Sequence, residues 1–351
     1  MPDTIGPRPF RQTATMSTAP WPNGTATGIG SLPGTDPAEA SAVVLGELPD
    51  LPHLPELPGR GLGADMIGRT AALLVDIAVE LVPSGYRVTR PGADHRRGVD
   101  LLRWDLDALE EASAQATPTL MKVQAAGPWT LTSQLELPRG HRVLTDRGAL
   151  RDFTESLTEG LRTHIADVER RTGASVVVQL DEPGLPAVLA GAVPTPSGYG
   201  TVPAVAEPEA RELLASVISG VERPVVVHCC AAAPPISLLR SAGATGVAFD
   251  LSLVTAEMFD TVGEAWDSGT VLFLGVVPGV ANGRVELKDA ALPAFRLAER
   301  VGFSRSVLES LAVATPACGL AGASAAWARR ALGLVRDVGR SFVEPPAAWF
   351  A

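Results

Sequence analysis

The sequence is poor in several residue types, and each shortage removes a class of protein. Its 351 residues hold three cysteines, an odd number that does not build the disulfide framework of a small secreted scaffold. Lysine occurs only at Lys122 and Lys288, and acidic residues outnumber basic ones to give a net charge of −10. That balance leaves no basic face for nucleic acid or an anionic membrane. The preference for arginine, beside abundant Ala, Gly and Pro, reads as a GC-rich genome rather than a function. No apolar run reaches the roughly 18 residues that a bilayer span requires. The N-terminus also lacks the basic and then apolar order of a secretion signal. A soluble cytoplasmic protein is the expectation.

The chain is 46% hydrophobic, in a recurring order of short apolar runs and amphipathic stretches. Residues 1–24, rich in Pro, Thr and Arg without periodicity, read as a flexible extension. A strand over Thr25–Ser31 runs into a turn at Leu32-Pro33-Gly34, and Asp36 or Thr35 caps the helix that follows. Gly28 and Gly30 look like part of a dinucleotide fingerprint, but the third glycine and the acidic residue that closes such a unit are missing. Residues 48–61 carry proline at every third position, Pro49, Pro52, Pro55 and Pro58. That spacing matches polyproline II and predicts an extended loop, in which His53 and Glu56 read as solvated charges. Apolar spacing then predicts a helix over 64–82, stopped by Pro83, a short strand at 86–89 and a helix over 101–115.

From Thr119 the alternation is regular. Strands are expected over 120–126, 175–180, 224–228, 246–250, 271–275 and 311–314. Helices are expected over 148–172, 207–220, 234–242, 255–267, 288–301 and 320–339. With the strands near 27 and 87 this makes eight, and the order predicts an α/β fold: a single (β/α)8 TIM barrel spanning residues 25–351. Chemistry in such barrels collects at the C-terminal ends of the strands. Ser31, Trp129, Asp181, His228, Asp250 and Cys318 all fall there.

One stretch concentrates that chemistry. Pro224-Val-Val-Val-His228-Cys229-Cys230 reads as a buried β-branched strand that ends in a histidine and two of the three cysteines. Side chains alternate along a strand, so His228 and Cys230 share a face and Cys229 points away; a slipped register would exchange the two cysteines. An imidazole and a thiolate side by side are half of a zinc site. Cys318 and Asp250, at other strand ends, offer a second sulfur and a carboxylate.

Ile29-Gly30-Ser31-Leu32-Pro33, Leu180-Asp181-Glu182-Pro183, His228-Cys229-Cys230 and Pro316-Ala317-Cys318-Gly319-Leu320 come in the order found in the catalytic C-terminal half of cobalamin-independent methionine synthase. The chain resembles that family over about residues 25–340, and the resemblance implies a barrel of the type shared with uroporphyrinogen decarboxylase. It also implies a zinc ion held by His228, Cys230, Cys318 and a carboxylate, here Asp250 where the family usually has Glu. That zinc would activate the thiol of homocysteine. By the same resemblance Gly30, Ser31, Trp129, Asp181 and Glu182 form the substrate-binding set, with Asp181 and the backbone at Ser31 on the amino and carboxylate groups. Asp181 and Asp250 are the expected catalytic carboxylates. The implied reaction is methyl transfer to homocysteine, forming methionine.

Two departures bear on the methyl donor. The full-length enzymes carry a second, N-terminal barrel that helps bind polyglutamylated folate, and these 351 residues are expected to have no room for one. The family's loop after the seventh strand carries a proton-donating histidine, whereas Val277-Pro-Gly-Val-Ala-Asn-Gly-Arg284 has none. The donor expectation is therefore open between methyltetrahydrofolate and a methyl-corrinoid protein, with the second the better fit. The alternatives are methylation of another thiol and a non-catalytic relative that binds zinc or substrate. A decarboxylase acting on an acidic tetrapyrrole is disfavoured, because no ring of basic residues is evident.

Overall fold

The valine-rich runs become the staves of a curled parallel sheet. The computed structural model describes residues 19–280 and 283–349. Helix α1 (Pro37–Glu47) and the short α2 (Met66–Ala71) precede a hairpin of β1 (Ala78–Val82) and β2 (Gly85–Thr89), then α3 (Ala93–Ala116), β3 (Leu120–Ala126), α4 (Pro128–Gln134) and β4 (Leu135–Glu136). The long α5 (Arg147–Thr172) leads to β5 (Ser175–Asp181), α6 (Leu185–Leu189), α7 (Glu207–Gly220), β6 (Val225–His228) and α8 (Ile236–Ser241). β7 (Gly246–Asp250), α9 (Phe259–Asp267), β8 (Val271–Val277), α10 (Leu287–Val301), α11 (Val307–Leu311), β9 (Ala312–Pro316) and α12 (Ala325–Val343) complete the order. No helix among the described residues is long and apolar enough to cross a membrane.

Strands β3-β5-β6-β7-β8-β9 lie in that order, every neighbouring pair parallel. This explains their near-continuous apolar runs. Helices cover one face and the curl encloses the other, so neither face meets water. The curl makes a half-barrel, and further bridges extend both of its edges. Ala26 bridges Ala314 beside β9, His53 bridges Lys122 beside β3, and Ser31 bridges Glu56, all parallel. Helix ends follow the capping rules. Asp36 accepts from the N–H groups of Ala38 and Glu39 with Pro37 in the first turn, and Asp146 does the same for α5.

Four expectations change. The stretch 64–82 is not one helix: α2 stops at Ala71, Asp76 takes a left-handed φ of 60°, and β1 begins at Ala78. The strand at 86–89 exists as part of β2, but it pairs antiparallel with β1 and parallel with β4 in a separate small sheet, so it is no stave of the main sheet. The place beside β3 is taken by the proline-rich segment, which is sunk in the protein. Leu48, Leu51, Leu54 and Leu57 are all buried, as three-residue periodicity would put them on one side. Of the expected extension, residues 1–18 lie outside the described residues, while Trp21 is buried, with its ring edge-on to Phe273 at 5.2 Å.

Close packing of α5 against the turn before β1 rests on one glycine. A Cβ added at Gly160 would stand 1.9 Å from the carbonyl oxygen of Leu73. Gly160→Ala is therefore expected to lower the unfolding free energy by about 1–3 kcal/mol, the usual range for overpacking, as read by chemical denaturation.

Candidate active site

The strand period of two builds the site from below. On β3, Lys122 and Gln124 share the enclosed face; on β5, Gln179 and Asp181 share it. Register sets Gln124 beside Gln179 and Asp181 beside His228. His228 Nδ1 donates to Asp181 Oδ1 at 2.7 Å, and Gln179 Nε2 donates to the same oxygen at 2.8 Å. Because a carboxylate holds the Nδ1 proton, the lone pair lies on Nε2. That atom is buried and has no hydrogen-bond partner among the described residues.

What the Nε2 atom faces is a pair of sulfurs. The ligand atoms of His228, Cys230 and Cys318 all lie within 4.8 Å of one another. Ligand atoms of a tetrahedral zinc ion stand roughly 3.5–4 Å apart, so the donor set suits such an ion in both chemistry and span. The two thiols stand close enough to affect one another. That interaction draws Cys318 below the ordinary thiol range, against the effect of burial, and together with burial it pushes Cys230 up. Cys229 is fully buried outside this cluster, and burial raises its thiol to about 12.

The three side chains line a cavity of about 330 Å³, together with Ser31, Asp181 and Glu56. Gly30, next to the lining residues Ile29 and Ser31, makes room for the Gln124 and Glu56 side chains. Its φ is 153°, and a Cβ there would meet Gln124 Nε2 at 2.6 Å and Glu56 Oε2 at 3.1 Å. Glu56, beside this backbone, is held by Arg69, with 3.7 Å between Oε1 and Nε. Arg69 is itself buried and paired with Asp105, which also binds Arg60. Burial raises Glu56 to about 7; Arg69 opposes the rise and the Asp181 charge adds to it.

The structure thus brings Ser31, Asp181, His228, Cys230 and Cys318 to one cavity, with Gly30 directly behind it. It turns three expected residues elsewhere. Glu182 is fully buried and caps α4, accepting from the N–H groups of Trp129 and Thr130 and from the Thr130 hydroxyl, where the helix dipole favours a negative charge. Trp129 is also buried, with its indole N–H donated to Ala210 O. Asp250 stands at the end of β7, but its Oδ1 accepts from the N–H and hydroxyl of Ser252, outside the metal-ligand cluster. Glu56 was missed from the sequence because a proline-rich run reads as solvated. The usable signal was the three-residue repeat, which puts His53 and Glu56 in line on one edge.

The family described as "Cobalamin-independent synthase, Catalytic domain" matches residues 24–341. No curated protein sequence matches the chain. Among solved structures, a B12-independent methionine synthase from Shewanella sp. W3-18-1, in complex with selenomethionine, superposes with a TM-score of 0.60 at 12% identity, covering 92% of this chain and 98% of that one. A methyltransferase from Methanosarcina mazei does so with a TM-score of 0.55 at 15% identity, covering 95% of each. At such identities the likeness is one of fold.

Glu56 also has a readable effect on stability. Its carboxyl sits near 4.5 when unfolded and near 7 when folded. The stability linked to its proton is therefore complete below pH 4.5 and is lost as pH rises through about 7. With chelator and reductant present, the difference in unfolding free energy between wild type and Glu56→Gln should fall by up to about 3 kcal/mol from pH 4.5 to 8.

Proposed function

Since the chain belongs to the cobalamin-independent synthase catalytic-domain family, we propose that it is a zinc-dependent methyltransferase that moves a methyl group onto the thiol of homocysteine to form methionine. The observation that carries this reading is the unpartnered Nε2 of His228 facing two thiols across a cavity of amino-acid size. In the same reading the bridged segments at 25–31 and 52–56 count as the first two staves of a closed (β/α)8 barrel.

His228, Cys230 and Cys318 would hold the zinc, which supplies a means of keeping a thiol deprotonated at neutral pH and so nucleophilic. Asp181 fixes the imidazole so that Nε2 faces the cavity, the usual second partner of a ligating histidine. With Oδ1 of Asp250 accepting from Ser252, the protein residues that would hold the ion number three, a set that would leave room for a substrate sulfur. Glu56 and the second oxygen of Asp181 offer negative charge to the substrate ammonium, and the Gly30–Ser31 backbone flanks its carboxylate. The substrate thiolate then attacks the donor's methyl group in line; the S–C bond forms as the donor's bond to carbon breaks, and the leaving group keeps the electron pair.

The donor reading follows from that leaving group. A tertiary amine such as methyltetrahydrofolate must be protonated as it leaves, and the segment 277–284 has no histidine to do so. A methyl-corrinoid releases its reduced corrin without a proton. Protein repleted with zinc should hold one ion, and zinc-edge X-ray absorption should gain a sulfur neighbour when homocysteine is added. His228→Ala and Cys318→Ser should each lose most of the zinc and the thiol methylation from methylcobalamin. A shell that ignores homocysteine, or full activity in either variant, would sink the proposal.

A further inference from the structure

Lys122 is one of only two lysines in the chain, yet it is completely buried at the centre of β3. A buried ammonium is costly unless its protons are all placed, so such a residue needs a reason. Its Nζ donates to Gln179 Oε1 at 2.6 Å and to the carbonyl oxygen of Ile29 at 3.1 Å. Gln179 makes the next links. Its Nε2 donates to that same Ile29 oxygen at 2.8 Å and to Asp181 Oδ1 at 2.8 Å. Asp181 Oδ1 in turn receives the His228 Nδ1 proton at 2.7 Å.

Two otherwise separate parts of the cavity therefore meet at one ammonium group. One part is the Ile29-Gly30-Ser31 backbone, whose Ser31 bridges Glu56 and whose preceding Ala26 bridges Ala314, isolated bridges instead of a full strand ladder. The other is the imidazole whose free nitrogen faces the sulfurs. The direction of the amide decides the outcome. Because Lys122 occupies Gln179 Oε1, the Gln179 NH2 must be the end that faces Asp181, and a carboxylate that receives an N–H is kept in place as an acceptor for His228. A flipped amide would set an oxygen against the Asp181 oxygen and break the link. Burial lowers the lysine to about 7, and the neighbouring Asp181 and Glu56 oppose that drop.

We propose that Lys122 is a positioning residue. It fixes the Gln179 amide so that Asp181 holds His228 with Nε2 toward the cavity, and it pins the Ile29 carbonyl that sets the Gly30–Ser31 wall. The assignment of His228 as a ligand rests on the functional reading above, but the chain of hydrogen bonds does not.

The test is therefore made first on metal-free protein. In ¹⁵N-histidine NMR of the full chain, with the His228 signals identified by their loss in His228→Asn, wild type should show the Nδ1–H tautomer with a downfield, hydrogen-bonded proton. Lys122→Met should stay folded by circular dichroism, and it should lose that proton signal or mix the tautomers. Gln179→Met, which keeps the lysine and cuts its link to Asp181, should do the same, and the double variant should be no worse than either single one, as expected for residues acting in series. Zinc affinity by chelator competition should drop about tenfold in each, the low end for losing support behind a metal ligand. An unchanged His228 tautomer in folded Lys122→Met overturns the proposal, and so does an unchanged tautomer in Gln179→Met if the lysine variant fails to fold. If wild type shows the tautomer and the variants lose it while no form binds zinc, the functional reading fails and the positioning role stands.

Discussion

A hydrogen bond between two side chains of neighbouring strands, Asp181 to His228, decides what the cavity can do. It places the imidazole proton on Nδ1 and so leaves a lone pair on Nε2, beside two sulfurs. Register makes this bond possible, because Asp181 and His228 are opposite one another where β5 and β6 end. Without that carboxylate the ring would be free to turn or change tautomer, and three suitable residues would not amount to a donor set.

The sheet and the segments packed beside it carry more charge than an apolar core tolerates, and the charges offset one another. Lys122 lies below Asp181 and Glu56; Arg69 lies between Glu56 and Asp105; Arg60 completes the pair on Asp105. Lys122, Asp181, Arg69 and Asp105 are buried, and such a charge would be strongly destabilising alone. Such a network gives up stability relative to an apolar core and yields fixed directions: carboxylates that cannot wander, and a backbone wall held by side chains instead of a ladder.

The same logic separates the residues at the strand ends. Asp181 and Glu182 are adjacent in sequence, but the strand alternation sends one to the cavity and the other to the N-terminus of α4, where its charge meets three donors. Asp250, one methylene shorter than the glutamate usual in the family, finds its acceptor role in the local turn with Ser252. Trp129 and Glu182 belong to the motif's scaffold and not to its ligand-facing surface.

Local pattern in the sequence was enough for the six parallel strands, their covering helices, and the His228–Cys230–Cys318 set. Runs of valine, strand alternation and cap residues act over a few positions, and all of them are written in the chain. The sequence also carried the family, through short motifs in a set order. Tertiary structure alone decided the rest, because each remaining question depended on partners far away along the chain. The proline-rich segment lies beside β3 because its leucines fill the core and its backbone pairs with Lys122 and Ser31. Glu56 faces the cavity for that reason, and nothing near it in sequence says so. That Asp181 serves the histidine while Asp250 turns to Ser252, and that a buried lysine ties the two walls together, are matters of distance between residues, which only the folded chain defines.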